Sequence, residues 1–251
     1  MPGFETIFSS WPQFLAACAV LVVAEGIYVM FGFGSGLIAV GGLAMMLPDV
    51  RDVAVLLMLV NLPVELSVVV ASRRTIEWRG VLWLGLGVAA GIPLGTAALR
   101  YGEPTFILTL LGAFLVAVGV AFLLLPEGRK VRIPVWAQPP TGLLSGVLSG
   151  MFSTGGPPLI FYYQLTGAEK GVFRGNLMAL FLVGTCVHVP SYLVGGLVTE
   201  PRVWSALACL PAVAIGAVLG HLAHIELSER TFRRLVSVLL AIIGGVLLIR
   251  R

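Results

Sequence analysis

Gly32-Phe33-Gly34-Ser35-Gly36-Leu37-Ile38-Ala39-Val40-Gly41-Gly42 returns, 114 positions later, as Gly146-Val147-Leu148-Ser149-Gly150-Met151-Phe152-Ser153-Thr154-Gly155-Gly156. Both stretches read G-x-x-S-G-x-x-x-x-G-G, and both lie inside otherwise apolar sequence. Glycines there loosen a helix and let backbone approach backbone or ligand closely. The chain therefore reads as a duplication. Glycine- or proline-interrupted hydrophobic segments at matching places in two halves are the sequence mark of a membrane transporter's binding site.

Working outward, 58% of the 251 residues are hydrophobic and 11% charged, with a mean hydropathy of +1.01. An average soluble domain carries roughly 25% charged residues, so this chain belongs in a bilayer. Apolar runs of roughly the 20 residues needed to span hydrocarbon fall at about 12–33, 52–71, 80–99, 104–125, 139–161, 175–196, 203–223 and 231–249. The expectation is an all-α integral membrane protein of two homologous repeats, about four transmembrane helices each. Residues 1–125 form the first repeat, 126–138 a cytoplasmic linker edged by Pro126, Pro134 and Pro139, and 139–251 the second. Further echoes support the duplication: Asn61 answers Asn176, Trp78 answers Trp204, and Gly91-x-x-x-Gly95 answers Gly216-x-x-x-Gly220. Four plain crossings per half give parallel repeats, whereas a glycine-rich segment counted as a broken pair gives five and inverts them. Transporters with facing broken helices favour inversion.

The first apolar run has no Lys or Arg before it and is too long for a cleaved signal peptide, so it is expected to be retained. The basic loops Arg73–Arg79 and Glu127–Arg132 are expected on the cytoplasmic side, with the poorer loop Arg100–Pro104 outside. The net charge of +4 lies in loops and bears on orientation. No basic patch or aromatic platform suits nucleic acid. Cys18, Cys186 and Cys209 sit singly in apolar helices and read as packing residues, not as a disulfide or zinc framework. No metal, no cofactor and no catalytic residue is expected.

At Ser153-Thr154-Gly155-Gly156-Pro157-Pro158 a helix should end and restart, since hydroxyl residues can cap and proline suits a first turn. Gly41-Gly42-Leu43 could do the same. Two half-helix N-termini could then present free N–H groups to an anion. Ser35, Gly36, Gly41, Gly42, Ser149, Gly150, Ser153, Thr154, Gly155 and Gly156, with Asn61 and Asn176 on the following helices, are the candidate substrate-binding residues. The competing reading is close helix packing through small residues, with hydroxyls bonded back to their own helices. Glu25 and Glu65 fall within apolar helices, where an ionised carboxylate costs roughly 2.5–3.5 kcal/mol unless it is paired or wetted. Either they carry protons or they are protonated structural groups. His188 is a further proton-coupling candidate.

On its size, its two halves and its paired motifs Gly36-x-x-x-x-Gly41-Gly42…Pro48 and Ser149-Gly150-x-x-x-x-Gly155-Gly156-Pro157, the chain resembles the sulfite exporter TauE/SafE family. The resemblance implies a multi-pass protein of the inner cell membrane, a secondary transporter and exporter of small sulfur-containing anions such as sulfite, sulfoacetate, thiosulfate or organosulfonates. Its partners would be that small anion and the lipid bilayer, joined by protons if Glu25, Glu65 or His188 carries them. Transport of another small organic anion is the nearest alternative. An intramembrane hydrolase is a more distant one, because Ser and His both lie in helices while no G-x-S-G, G-x-G-D or H-E-x-x-H pattern occurs.

Overall fold

The computed structural model describes residues 5–31, 34–72, 76–124, 131–222 and 229–249. These residues form ten α-helices: α1 Trp11–Phe31, α2 Ser35–Ala44, α3 Val50–Ser72, α4 Trp78–Tyr101, α5 Pro104–Leu124, α6 Gln138–Phe152, α7 Gly156–Thr166, α8 Lys170–Val194, α9 Glu200–Leu222 and α10 Glu229–Ile249. A single 3-10 turn, Val135–Ala137, leads into α6. All regular structure among the described residues is helical, as hydrocarbon requires of a chain with no water to take up its backbone groups. Among the described residues, five helices are long and apolar enough to cross a membrane: Trp11–Met30, Gly80–Tyr101, Pro104–Leu124, Gly171–Val194 and Glu200–Leu222. The expected loops at Arg73-Arg74-Thr75, at 127–130 and at 224–228, and the terminal Arg250-Arg251, lie outside the described residues.

Two compact units emerge, residues 1–57, 102–125 and 199–251 in the first, and 58–101 and 126–198 in the second. Each unit draws helices from both sides of the 126–138 segment. In the first, α1 packs on α9 and α5 on α10; in the second, α4 packs on α6 and α8. The first helix of each half is thus paired with the fourth of the other.

Glycine makes these pairings possible. On α4, Gly87, Gly91 and Gly95 recur every fourth residue and face Gly142, Gly146 and Gly150 of α6. A β-carbon at Gly91 would overlap the Leu143 carbonyl, and one at Gly150 would overlap the Ile92 carbonyl. The α1–α9 pair repeats the device, with a β-carbon at Gly220 falling 2.5 Å from the Gly26 carbonyl oxygen and one at Gly216 2.5 Å from that of Val22. Between lipid-solvated helices no hydrophobic force favours contact, so close backbone approach supplies the dispersion energy instead.

Eight continuous helices were expected; one of those runs is divided, and α2 is a helix that lay in none of them. α1 ends at Phe31, and α2 starts after Gly34, which has φ 98° in the left-handed region. The 139–161 run stops at Phe152, and Ser153 adopts φ 53°. The expectation that Gly41-Gly42 restarts a helix is corrected here: helical geometry resumes at Ser35, so this glycine pair sits in mid-helix. Gly34, in the left-handed region, is the N-cap from which α2 starts, its carbonyl accepting the Ile38 N–H, and Gly41 and Gly42 are left to pack.

Candidate functional site

The α6–α7 break is built from serines one turn apart. Ser153 N–H donates to the Ser149 carbonyl at 2.7 Å, closing the last turn of α6. Ser145 Oγ donates to the Gly155 carbonyl at 2.6 Å and pins the restart onto α6. A β-carbon on Gly155 would lie 3.0 Å from Ser145 Oγ and would overlap Ser149 Oγ. Glycine is therefore required at 155 by the approach of the Ser145 backbone carbonyl, which that β-carbon would overlap, and of the Ser149 hydroxyl. Gly155 is the N-cap and Gly156 the first residue of α7, followed by Pro157 and Pro158. The prolines suit the first turn, but they remove two of its amides. The N–H groups available at this terminus are thus those just before the prolines, at Gly155 and Gly156, beside the Ser149 hydroxyl. Thr154 and Gly155 are buried, and Ser149, Ser153 and Gly156 are half-buried.

In the first unit, the amides of Ser35, Gly36 and Leu37 begin α2 and have no partner within the helix; Ile38 N–H is the first to close, on the Gly34 carbonyl at 3.2 Å. A β-carbon on Gly41 would meet Ile243 of α10 at 3.0 Å and Leu115 of α5 at 3.3 Å. One on Gly42 would meet Val20 of α1 at 2.9 Å. Gly150, likewise, turns toward α4 and not toward the break.

Asn176 is buried on α8 and accepts the Glu77 N–H at the start of α4 at 2.7 Å. Its place along α7 is beside Tyr163, seven residues, or about 10 Å, from Gly156. The Tyr163 hydroxyl is buried and makes no well-formed hydrogen bond. Asn61 is half-buried on α3. Glu65, also on α3, accepts a short hydrogen bond from the Thr185 hydroxyl of α8. Glu25 is buried on α1, and its Oε1 has no protein partner. His188 is buried on α8 with Nε2 unpartnered and its ring edge-on to Tyr192 at 4.1 Å. The Tyr192 hydroxyl in turn donates to the Gly150 carbonyl at 3.0 Å.

Three contributors were not singled out from sequence. Ser145 carried a signal in its i, i+4 spacing to Ser149. Tyr163 is one of a Tyr-Tyr-Gln run in an otherwise apolar helix, whose residue Tyr162 accepts from Gln138 Nε2 at 2.8 Å. Thr185 had no local signal, because only the approach of α3 and α8 gives it Glu65.

Helices long and apolar enough to cross a membrane, with a buried, hydroxyl-lined break between α6 and α7, are those of a multi-pass helical membrane protein. The chain belongs to the sulfite exporter TauE/SafE family, whose model matches residues 16–247. It is 29% identical over 224 residues to the probable sulfite/organosulfonate exporter TauE of Cupriavidus necator, covering 87% of each chain. It is 25% identical over 190 residues to the probable inner membrane transporter protein TsaS of Comamonas testosteroni, covering 75% of this chain and 80% of that one. No solved structure matches it at a significant level.

Proposed function

We propose that this protein is a secondary transporter of the inner cell membrane that exports small sulfur-containing anions, sulfite or an organosulfonate, with protons as the coupling ion. The observation that carries the reading is the α6–α7 break, where the Ser149 hydroxyl and the amides of Gly155 and Gly156 crowd a helix N-terminus that the Ser145 hydroxyl pins to α6. Such a terminus attracts an anion through its dipole and its N–H groups. Sulfite and sulfonates offer several oxygens to short donors, and with no fixed cation among the donors the anion can leave again. Ser153 and Thr154 complete the lining. Asn176 and Tyr163 supply further polar groups along α7. In the first unit, Ser35 and Gly36 at the start of α2 play the corresponding part; Asn61 on α3 is the counterpart of Asn176 in sequence, and Gly41, Gly42 and Gly150 hold the helices that carry these residues.

Five helices in each half among the described residues, α1–α5 and α6–α10, support the reading as inverted repeats, because an odd number of crossings reverses the direction of the second copy. The names of the two relatives support the substrate class, since one is called an exporter of sulfite or organosulfonate and the other an inner membrane transporter.

Purified protein in proteoliposomes tests the reading. Labelled sulfite, taurine or sulfoacetate should move across the membrane with no other protein and no bond broken, and carboxylate controls should not. Thermal stabilisation provides the binding arm, as a ligand at 100 times its Kd adds about 2.7 kcal/mol. Absence of both flux and stabilisation for every sulfur anion would remove this substrate class.

A further inference from the structure

Cys18 of α1 and Cys209 of α9 both belong to the first unit, and their side chains meet: the Cys209 thiol donates a hydrogen bond to the Cys18 sulfur. The packing of the two helices accounts for the meeting. Val22 and Gly26 of α1 face Gly216 and Gly220 of α9 in the same rising order, so the helices run side by side in one direction. A β-carbon on Gly216 would lie 3.0 Å from Cβ of Glu25. Seven residues earlier on each helix, two turns or about 10 Å back along the axes, stand Cys209 and Cys18. The third cysteine, Cys186, is exposed on α8 in the second unit.

The surroundings of the pair are apolar. Cys209 is 0% exposed. Cys18 is half-buried beside Leu15 and Ala19, which face outward. It is the eighth residue of α1 and Cys209 the tenth of α9, and both helices are long and apolar enough to cross a membrane. A reagent dissolved in hydrocarbon therefore reaches Cys18, whereas a charged, hydrated one is held out by its desolvation cost. Among the described residues no group of three or more potential ligands gathers around a metal position, so the chemistry open to the pair is that of two thiols.

We propose that Cys18 and Cys209 form a reversible dithiol–disulfide pair, oxidised within the membrane by a lipid-soluble quinone. Two S–H bonds break, one S–S bond forms, and both hydrogens pass with their electrons to the quinone, which leaves as hydroquinone. Dithiol and disulfide are both neutral, so neither state leaves a charge in hydrocarbon. A disulfide needs β-carbons about 3.5–4.5 Å apart, a spacing that suits thiols already in contact on an interface this close. The bond ties α1 to α9 at the start of the seam that Glu25, Gly26, Gly216 and Gly220 continue, where dispersion alone otherwise holds the helices.

The test treats the full-length protein in proteoliposomes with decylubiquinone, then denatures it and alkylates it with N-ethylmaleimide. Reduced wild type, with its three cysteines, should take a label on each. After the quinone only Cys186 should be labelled, and peptide mapping should return a Cys18–Cys209 cross-link that dithiothreitol opens. Cys186→Ala should still form the cross-link, while Cys18→Ala and Cys209→Ala should keep both remaining thiols open to alkylation. The wild-type map carries the test even where Cys209→Ala, a change in the core, folds poorly. Glutathione disulfide, charged and confined to water, should act at least about tenfold more slowly than the quinone. Full labelling of quinone-treated wild type, where the same quinone oxidises dihydrolipoamide in the same vesicles, would overturn the proposal. So would a cross-link through Cys186, or equal rates with glutathione disulfide, which would mean that the oxidant arrives from water.

Discussion

A β-carbon on Gly155 would come within 3.0 Å of Ser145 Oγ, whereas one on Gly245 would meet nothing within 4 Å. The two glycines should therefore respond oppositely to alanine. Gly155→Ala must part α6 from α7 and weaken the Ser145–Gly155 hydrogen bond, a cost of about 1–3 kcal/mol. Gly245→Ala gains helix propensity of up to about 1 kcal/mol. Thermal unfolding in detergent checks both, and anion binding separates them further: Gly155→Ala should lose it and Gly245→Ala should retain it. The acidic residues are distinguished in the same way. Glu65 is engaged by Thr185, while Glu25 is buried with one oxygen lacking a protein partner. Glu25→Gln should abolish proton movement accompanying flux in proteoliposomes, and Glu65→Gln should leave it intact. Wild-type proton movement in the Glu25 variant would assign that carboxylate a structural role and leave coupling to His188.

At the scale of elements, the α4–α6 and α1–α9 pairs depend on one device, glycine against backbone. Gly91→Ala and Gly220→Ala each place a methyl group on a facing carbonyl, and both should lower the melting temperature by several degrees, since overpacking costs about 1–3 kcal/mol. A small effect at one and a large one at the other would show that the pairings are not equivalent. In the first unit, the starts of α3 and α9 are tied by Arg202 Nε and Asp52 Oδ1 at 2.7 Å, while Arg51 donates to the Gly102 carbonyl at 2.9 Å. Asp52 also sits in the first turn of α3, where a negative charge suits the dipole. A double-mutant cycle on Asp52→Asn and Arg202→Gln should give a coupling of about 1 kcal/mol, because the pair is largely shielded from water but not enclosed.

Across the whole molecule, orientation rests on the distribution of arginine and lysine. The segments 73–79 and 127–132 outweigh 100–104 in Lys and Arg, from which we expect them on the cytoplasmic side. Single cysteines at Thr75 and Gly128, in a background lacking Cys18, Cys186 and Cys209, should resist an impermeant thiol reagent in intact cells and react after lysis. Labelling of both from outside would reverse the topology.

Membrane residence, helical class and the family were all legible in the chain itself, because hydropathy and helix-length apolar runs are local properties and hydrocarbon permits few solutions for a backbone within it. The break at Ser153–Pro158 was legible too, from proline and hydroxyl residues that disfavour continuing a helix and favour starting one. Where the first copy breaks was not. Glycine tolerates a left-handed residue without demanding one, so the restart expected at Gly41-Gly42 falls instead after Gly34, and the pair packs within a helix against Val20, Leu115 and Ile243. Only the tertiary structure could show that Gly150 faces a neighbouring helix, that Ser145 holds Gly155, and that Asn176 caps the start of α4. Each of those roles is set by a residue from another helix or another turn, and the identity of a long-range neighbour is not written in local spacing.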